Sequence, residues 1–414
     1  MRNFKEVFWV VPHVFLITVI FPICLVIIYF ARSIVESNYI GYESPYYVSD
    51  QYSLMFAGGV LILAAGTFFG GRVNKEKKNT LVLGEQSLDF LFWMTAIAYL
   101  IWFMPALLIN PSLIFGALLG EAGSTYRVRE LNLNISGLTT VTQFGIAYVS
   151  IYAYERWISG RFFRSKYFYY FCLIFAMGLF RAWVNSERIA LLELIFPVIV
   201  VLSCSTIKFN KIFRFIIGYF PIITMLAAPV FFAIFEYNRS WLIHYSNYYD
   251  SILDFSTERL GVYYISSLNN ISGYLDYANW PSYSGEWTLR WLYRFPWIGD
   301  LVSYLFGSGD FQGFNDFLGI HADPEYNNTT GIMVTYQDWG AWGAVFLFAL
   351  GFIIGKSYRS FVCGSGWLKY IYPMMFYALY EILRIGYLYD GRFVSAVIGV
   401  LVCVVLLRNK NNAV

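Results

Sequence analysis

Charge is what this sequence has least of. Only 13% of its 414 residues are Asp, Glu, Lys or Arg, and 58% are hydrophobic. A soluble domain carries about a quarter charged residues. An ordinary soluble enzyme is excluded, and length becomes a poor guide to domain count. Histidine is scarce as well, confined to His13, His244 and His321. The five cysteines, Cys24, Cys172, Cys204, Cys363 and Cys403, fall within or beside apolar runs, so no disulfide framework is visible. A net charge of +3 leaves no basic excess for nucleic acid. Cys/His zinc spacing, a Walker loop, a Gly-rich dinucleotide fingerprint and paired Asp-x-Asp metal ligands are all missing. No Gly-x-Ser-x-Gly elbow appears either, because Gly307-Ser308-Gly309-Asp310 is a turn. The chain is expected to use no cofactor and no metal.

What is abundant is long apolar sequence. A spanning helix needs roughly 20 mostly apolar residues. Ten stretches qualify: 8–30, 52–71, 88–109, 136–154, 167–184, 188–206, 213–235, 331–354, 369–388 and a short one at 393–407. Residues 110–120 are too short to span and are expected to re-enter the bilayer or lie on its surface. The expected fold is an all-α polytopic membrane protein. Residues 1–235 form spans one to seven, 236–330 a large loop, and 331–414 spans eight to ten. Eighteen of the 29 basic residues fall on one side, including Arg2, Lys5, Lys75, Arg156, Lys208, Lys356 and Arg408. The positive-inside rule makes that side cytoplasmic, both termini internal and the 236–330 loop external. No internal repeat and no inverted pair of broken helices stands out, which weakens a secondary-transporter reading.

The 236–330 loop is not linker-like. Its 95 residues include 23 aromatics, four Arg, no Lys and eleven carboxylates. Disordered segments are poor in aromatics, so this loop is expected to fold, and to do so against the membrane. All ten Lys lie on the cytoplasmic side, and the eleven basic residues elsewhere are all Arg. Arg offers a planar fork that grips phosphate or carboxylate with two bonds, so an Arg-only outer face suggests anion-binding positions. Pairing with the loop's acids is the plainer alternative.

Four places could carry chemistry. The turn Asn185-Ser186-Glu187-Arg188 lies between spans five and six, with Arg181 before it and Glu193 about one turn deeper. A carboxylate at that depth needs a partner or a function. The run from Glu286 to Trp297 sets Arg290 and Arg294 four apart, so on a helix they share one face and Trp287 and Trp291 another. As an amphipathic helix it would lie at the interface with its Arg at phosphate height. The segment His321-Ala322-Asp323-Pro324-Glu325-Tyr326-Asn327-Asn328-Thr329-Thr330 places a His, an Asp and a Glu above span eight. His is the usual general base near neutral pH. Asp338, deeper in that span, needs a partner, and Arg384 of span nine is the expected one. Glu381, Arg384, Asp390 and Arg392 gather at the outer ends of spans nine and ten. Each also has a structural reading as a local ion pair or an interfacial anchor.

Two of these features resemble the O-antigen polymerase (Wzy-type) family and its relatives, the O-antigen ligases. One is the layout of ten or more spans with a large outward loop in the second half. The other is Tyr326-Asn327-Asn328-Thr329-Thr330 running into Asp338-Trp339-Gly340-Ala341-Trp342-Gly343. Arg188 at the head of span six also resembles a position where these proteins place an Arg. The motifs cover some 25 residues and are loose. A ligase would carry a His within the Asn-rich motif, where this chain has Asn327-Asn328, so the polymerase is favoured.

The resemblance implies a GT-C-like, metal-independent glycosyltransferase in the bacterial inner membrane, with its site facing the periplasm. Its substrates would be oligosaccharide repeat units on undecaprenyl pyrophosphate, with a chain-length regulator protein as a companion. The expected pyrophosphate or sugar-binding residues are Arg188, Arg290, Arg294, Arg384 and Asn328. His321 is the expected base, with Glu187 or Asp323 as substitutes. A ligase or another outer-face transferase, and a flippase for lipid-linked oligosaccharides, are the alternatives. A flippase should show cations deep in several spans and only short loops.

Overall fold

The computed structural model describes residues 7–37, 42–72, 81–121, 123–132, 137–157, 163, 165–185, 187–205, 210–278, 280–296 and 298–407. Among them the chain is helical, with no β-strand. The principal helices are α1 (Pro12–Glu36), α2 (Asp50–Arg72), α3 (Glu85–Ile109), α4 (Lys166–Val184), α5 (Ile189–Ser203), α6 (Phe220–Glu236), α7 (Ile252–Tyr277), α8 (Ile298–Phe306), α9 (Asp310–His321), α10 (Met333–Cys363), α11 (Leu368–Tyr380) and α12 (Gly391–Leu406). Five of them, α1, α2, α3, α4 and α10, are long and apolar enough to cross a membrane. A sixth crossing results if Lys211–Gly218 and α6, bent by 83° at their junction, count as one span. The chain is a helical membrane protein. Arg2, Lys5, Lys75, Lys77, Lys78, Arg161, Arg164, Lys208, Arg408 and Lys410, which bear on the expected orientation, lie outside the described residues, as do Ser186 and Trp297.

The other expected spans are shorter or interrupted. The 136–154 run is divided into Leu138–Val141 and Phe144–Tyr152. α5 has 15 residues, about 22 Å of helix against a hydrocarbon core of about 30 Å. The 369–388 run is helical only to Tyr380, after which Glu381–Arg384 forms a turn. The bend before α6 has a local cause, since Pro221 in the first turn of α6 cannot donate to a preceding helix. Residues 110–120 form a nine-residue helix, Pro111–Leu119, opened by Pro111 and stopped by Gly120 at φ 79°.

Packing divides the chain into two compact units. The first comprises Phe8–Lys78 and Glu258–Val394; the second comprises Met1–Val7, Asn79–Thr257 and Ser395–Val414.

Within the first unit, α2 and α10 touch backbone to backbone. A Cβ at Gly66 would lie 2.2 Å from the carbonyl oxygen of Phe348, and one at Gly70 2.1 Å from that of Phe352. Seen from α10, a Cβ at Gly351 would lie 2.3 Å from the oxygen of Leu63, and one at Gly355 2.1 Å from that of Thr67. Without a hydrophobic driving force between spans, such close approach supplies the contact energy. Polar ends are consistent with the helix dipole in α2, with Asp50 in its first turn and Arg72 in its last. α10 starts on Thr330, whose hydroxyl accepts from the N–H groups of Ile332 and Met333 at 3.0 and 3.1 Å. Its first seven residues end at Gly340, held at φ 56°, a conformation that suits glycine.

Within the second unit, Trp102, Phe103, Ala106, Ile114, Ala117, Val128 and Val184 form a continuous buried cluster. It seats the short helix Pro111–Leu119 against α3 and α4, helped by the Trp183 indole N–H donating to the Ala117 carbonyl at 3.0 Å.

Candidate functional site

In the first unit the loop before α8 hangs from one buried carboxylate. Asp338, wholly buried in α10, accepts from the Trp287 N–H at 3.3 Å and from the Thr288 N–H and hydroxyl at 2.7 Å each. The Trp339 indole donates to that hydroxyl at 2.9 Å. Ser282 and Tyr283 donate their N–H groups to the carbonyls of Gln337 and Asp338. This corrects the expected pairing of Asp338 with Arg384. Arg384 binds Glu381 instead, Nε to Oε2 at 2.7 Å. Backbone donors meet the need of a buried carboxylate without burying a second charge, and they pin the loop to the first turns of α10.

The pinned loop positions Arg290 and Arg294. The expected amphipathic helix over 286–297 reduces to the single turn Arg290–Tyr293. Two diversions explain this. The Glu286 carboxylate leaves the local turn to accept from the N–H groups of Gly309 and Asp310, at 2.9 and 2.8 Å, and so caps α9. Trp287 is buried against Phe311 and Phe314 rather than facing lipid. The shared Arg face survives, because both guanidinium groups sit over the Phe311 ring, at 4.4 Å for Arg290 and 5.6 Å for Arg294. Burial, reinforced by the neighbouring Arg294 charge, pushes Arg290 down to about 10, and only the fields of Asp390 and Glu286 oppose this. The Arg290 Nε is buried with no hydrogen-bond partner. Two stacked cations, one with an unmet donor, make a position that an anion would stabilise.

His321 stands at the other end of α9. Ten residues separate it from Phe311, about 15 Å of helix axis. Its exposed ring lies against Tyr277 and Phe317, with centroids 5.2 and 5.8 Å away. Its carbonyl accepts from the Tyr47 hydroxyl at 2.8 Å. An open groove of 490 Å³ runs here, lined by Glu43, Pro45, Tyr47, Ile320, His321 and Asp323 among others. Burial raises Asp323, with the Glu325 and Glu43 charges adding to the shift, while the Glu325 N–H and Arg259 oppose it. Glu325 pairs with the buried Arg259, which lies beside the rings of Tyr263 and Tyr326.

The rest of the Asn-rich segment is held structurally. The Asn270 amide donates to the Tyr326 carbonyl at 2.6 Å and accepts from the Tyr42 hydroxyl at 2.6 Å. Asn328 is half-buried in the extended run before α10.

In the second unit Glu187 and Arg188 form an ion-pair node. Glu187 accepts two bonds from Arg181, at 2.8 Å from Nε and 2.7 Å from Nη2. This is the local pairing that was the plainer reading. Arg188 reaches the buried Glu236 at 3.6 Å and stacks on Phe232 at 3.7 Å. Glu193, also buried, accepts from Gln143 at 2.9 Å with that amide turned so that its oxygen takes a bond from Arg181.

Arg290, Arg294, Arg384, His321, Asp323 and Asn328 thus belong to the first unit, and Arg188 and Glu187 to the second. Sequence reasoning did not single out Phe311 as the platform of the Arg pair, or Arg259 as the partner of Glu325. Spacing carries no signal for either, because each contact closes a loop of 17 residues or more. Among the described residues no group of three or more His, Cys, Asp or Glu could hold a metal ion. No family model, curated protein or solved structure matches the chain.

Proposed function

We propose that this protein is a surface-polysaccharide polymerase of the O-antigen type. It would join oligosaccharide repeat units carried on undecaprenyl pyrophosphate at the outer face of the bacterial cytoplasmic membrane. The observation that carries the reading is the Arg290–Arg294 pair over Phe311, with its unmet Nε–H. In the reaction, an acceptor sugar hydroxyl attacks the anomeric carbon of the donor. The new C–O bond forms as the bond to the pyrophosphate oxygen breaks, and the lipid pyrophosphate leaves. Charge grows on that oxygen, and the half-buried Arg290 guanidinium, with the exposed Arg294 beside it on the Phe311 ring, stabilises it. Because the leaving group is already activated, the reading needs no nucleotide, metal or further cofactor.

The hydroxyl proton must pass to a base near the reacting bond. His321 sits about 15 Å along α9 from the Phe311 platform, so this reading moves it from base to a contact with the glycan chain. Asp390 takes its place. Its field reaches Arg290, and one of its oxygens is occupied by the Arg392 N–H at 2.9 Å. Asp323, Glu187, Asn328, Arg188 and Arg384 remain in the proposal as groups that bind substrate or order the site. Ten crossings with both termini inside, a GT-C-like architecture and association with a chain-length regulator complete it.

Deletion is the decisive experiment. Loss of a polymerase leaves a single capped repeat unit on the cell surface, whereas loss of a ligase or flippase leaves none. In the intact chain, Arg290→Lys and Arg294→Lys keep the charge and lose the fork. Each is expected to shorten or abolish the polysaccharide ladder, with turnover falling on the order of 10²-fold. If the four variants R188K, R290K, R294K and R384K all gave full-length ladders, the clamp would be ruled out.

A further inference from the structure

A different surface of the first unit points to a partner in its own right. α8, nine residues long, lies outside every membrane-spanning helix, yet its outward face is apolar. Ile298, Leu301 and Leu305, spaced to share one side, are 42%, 56% and 61% exposed, and Tyr304 beside them is 85% exposed. Val302 and Gly299 face inward, and a Cβ at Gly299 would lie 2.2 Å from the Tyr293 carbonyl oxygen. Asp300, exposed, marks the polar edge of the helix.

Water is a poor environment for such a face. Fully exposing one Leu or Ile costs about 1.5–3 kcal/mol relative to burial. The height of α8 decides what covers it. The loop leading into it is tied to the first turns of α10 by Thr288 on Asp338, by Ser282 and Tyr283 on the carbonyls of Gln337 and Asp338, and by Pro281. A Cβ at Gly340 would lie 2.9 Å from the Pro281 ring. α10 is one of the helices fit to cross the membrane. The segment that launches α8 therefore sits level with the outer turns of a span, only ten residues before α8 begins.

We infer that α8 is an interfacial helix that beds Ile298, Leu301, Tyr304 and Leu305 into the outer leaflet of the bilayer. Asp300 stays at the water boundary, and Arg294 and Arg290, four and eight residues upstream of Ile298, stand at headgroup height. Phospholipid is the occupant. A second copy of the chain and bare water are the outcomes that would contradict it. The inference stands apart from the polymerase reading and needs no enzyme activity to be tested.

The test uses the full chain in phospholipid nanodiscs, with the exposed Cys172 and Cys363 replaced by Ser. Single cysteines at Ile298, Leu301 and Leu305, and at Asp300 and Gln312 as aqueous controls, carry an environment-sensitive fluorophore. Lipid-borne nitroxide should quench the first three several-fold more than the controls, and aqueous iodide should show the reverse order. Equal iodide quenching at all five positions would overturn the inference. Shielding of the three apolar positions from both quenchers would also overturn it, since protein would then cover the face. The unmodified chain gives an independent readout, because a phospholipid with a photoactivatable acyl chain should label peptides within 298–306. Absence of label there, with α1 and α2 labelled, would also overturn it.

Discussion

At the residue scale, the two ends of α9 behave differently toward pH. Arg290 is depressed only to about 10 and keeps its charge at neutral pH, so anion binding there should be flat from mild acid to mild base. Asp323 is raised, chiefly by burial. A carboxyl whose folded value exceeds its unfolded one favours the native state most when protonated, and that advantage is lost as pH rises through the folded value. Asp323→Asn, which keeps the oxygen that accepts from the Glu325 N–H at 2.8 Å, should therefore raise the melting temperature at neutral pH and leave it unchanged in acid. Thermal scans at both pH values check the sign. Asp390→Asn is nearly isosteric and can keep the bond to the Arg392 N–H. In the proposed mechanism it should lower turnover without raising KM for the acceptor. A rise in KM with turnover intact would make Asp390 a binding group instead.

At the element scale, two features invite perturbation. Gly66→Leu or Gly355→Val forces side-chain atoms into a backbone contact between α2 and α10, and overpacking of this kind costs about 1–3 kcal/mol. The melting temperature in detergent should fall, while Gly58→Ala, which meets nothing within 4 Å, should leave it within error. Asp338→Ala removes the acceptor of three donors from Trp287 and Thr288 and leaves them in a buried site, at about 1–3 kcal/mol for each unmet group. Limited proteolysis should then open the chain between Tyr283 and Phe295 before any span is cut.

Here the sequence was partly legible. The i, i+4 spacing of Arg290 and Arg294 foretold their shared face, and apolar runs foretold α1, α2, α3 and α4 to within six residues and the start of α10 to within two, although α10 runs nine residues past its expected end. Hydropathy could not show where the backbone turns. The 213–235 run reads as one apolar stretch, and only Pro221 marks the bend. The partner of Asp338 was missed for a related reason. Charge logic nominates another side chain, whereas backbone N–H groups of a distant loop are invisible in a sequence.

At the scale of the whole molecule, the proposed orientation puts both termini inside and the 236–330 loop outside. A reporter enzyme active only outside the cytoplasm, fused after Ser308, should be active, and the same reporter at the C-terminus should be silent. Activity at the C-terminus would require an odd number of crossings. α9 adds a last consequence. It is capped at its start by Glu286 and tied at its end by Tyr47, so it separates a cationic platform from an acidic, histidine-bearing groove at a nearly fixed distance of about 15 Å. A ligand shorter than that engages one end alone. A chain long enough to hold both has its second contact at high effective concentration, so its affinity exceeds that of either fragment with no new contact made. In the proposed reaction the protein would then favour chains already begun over single units.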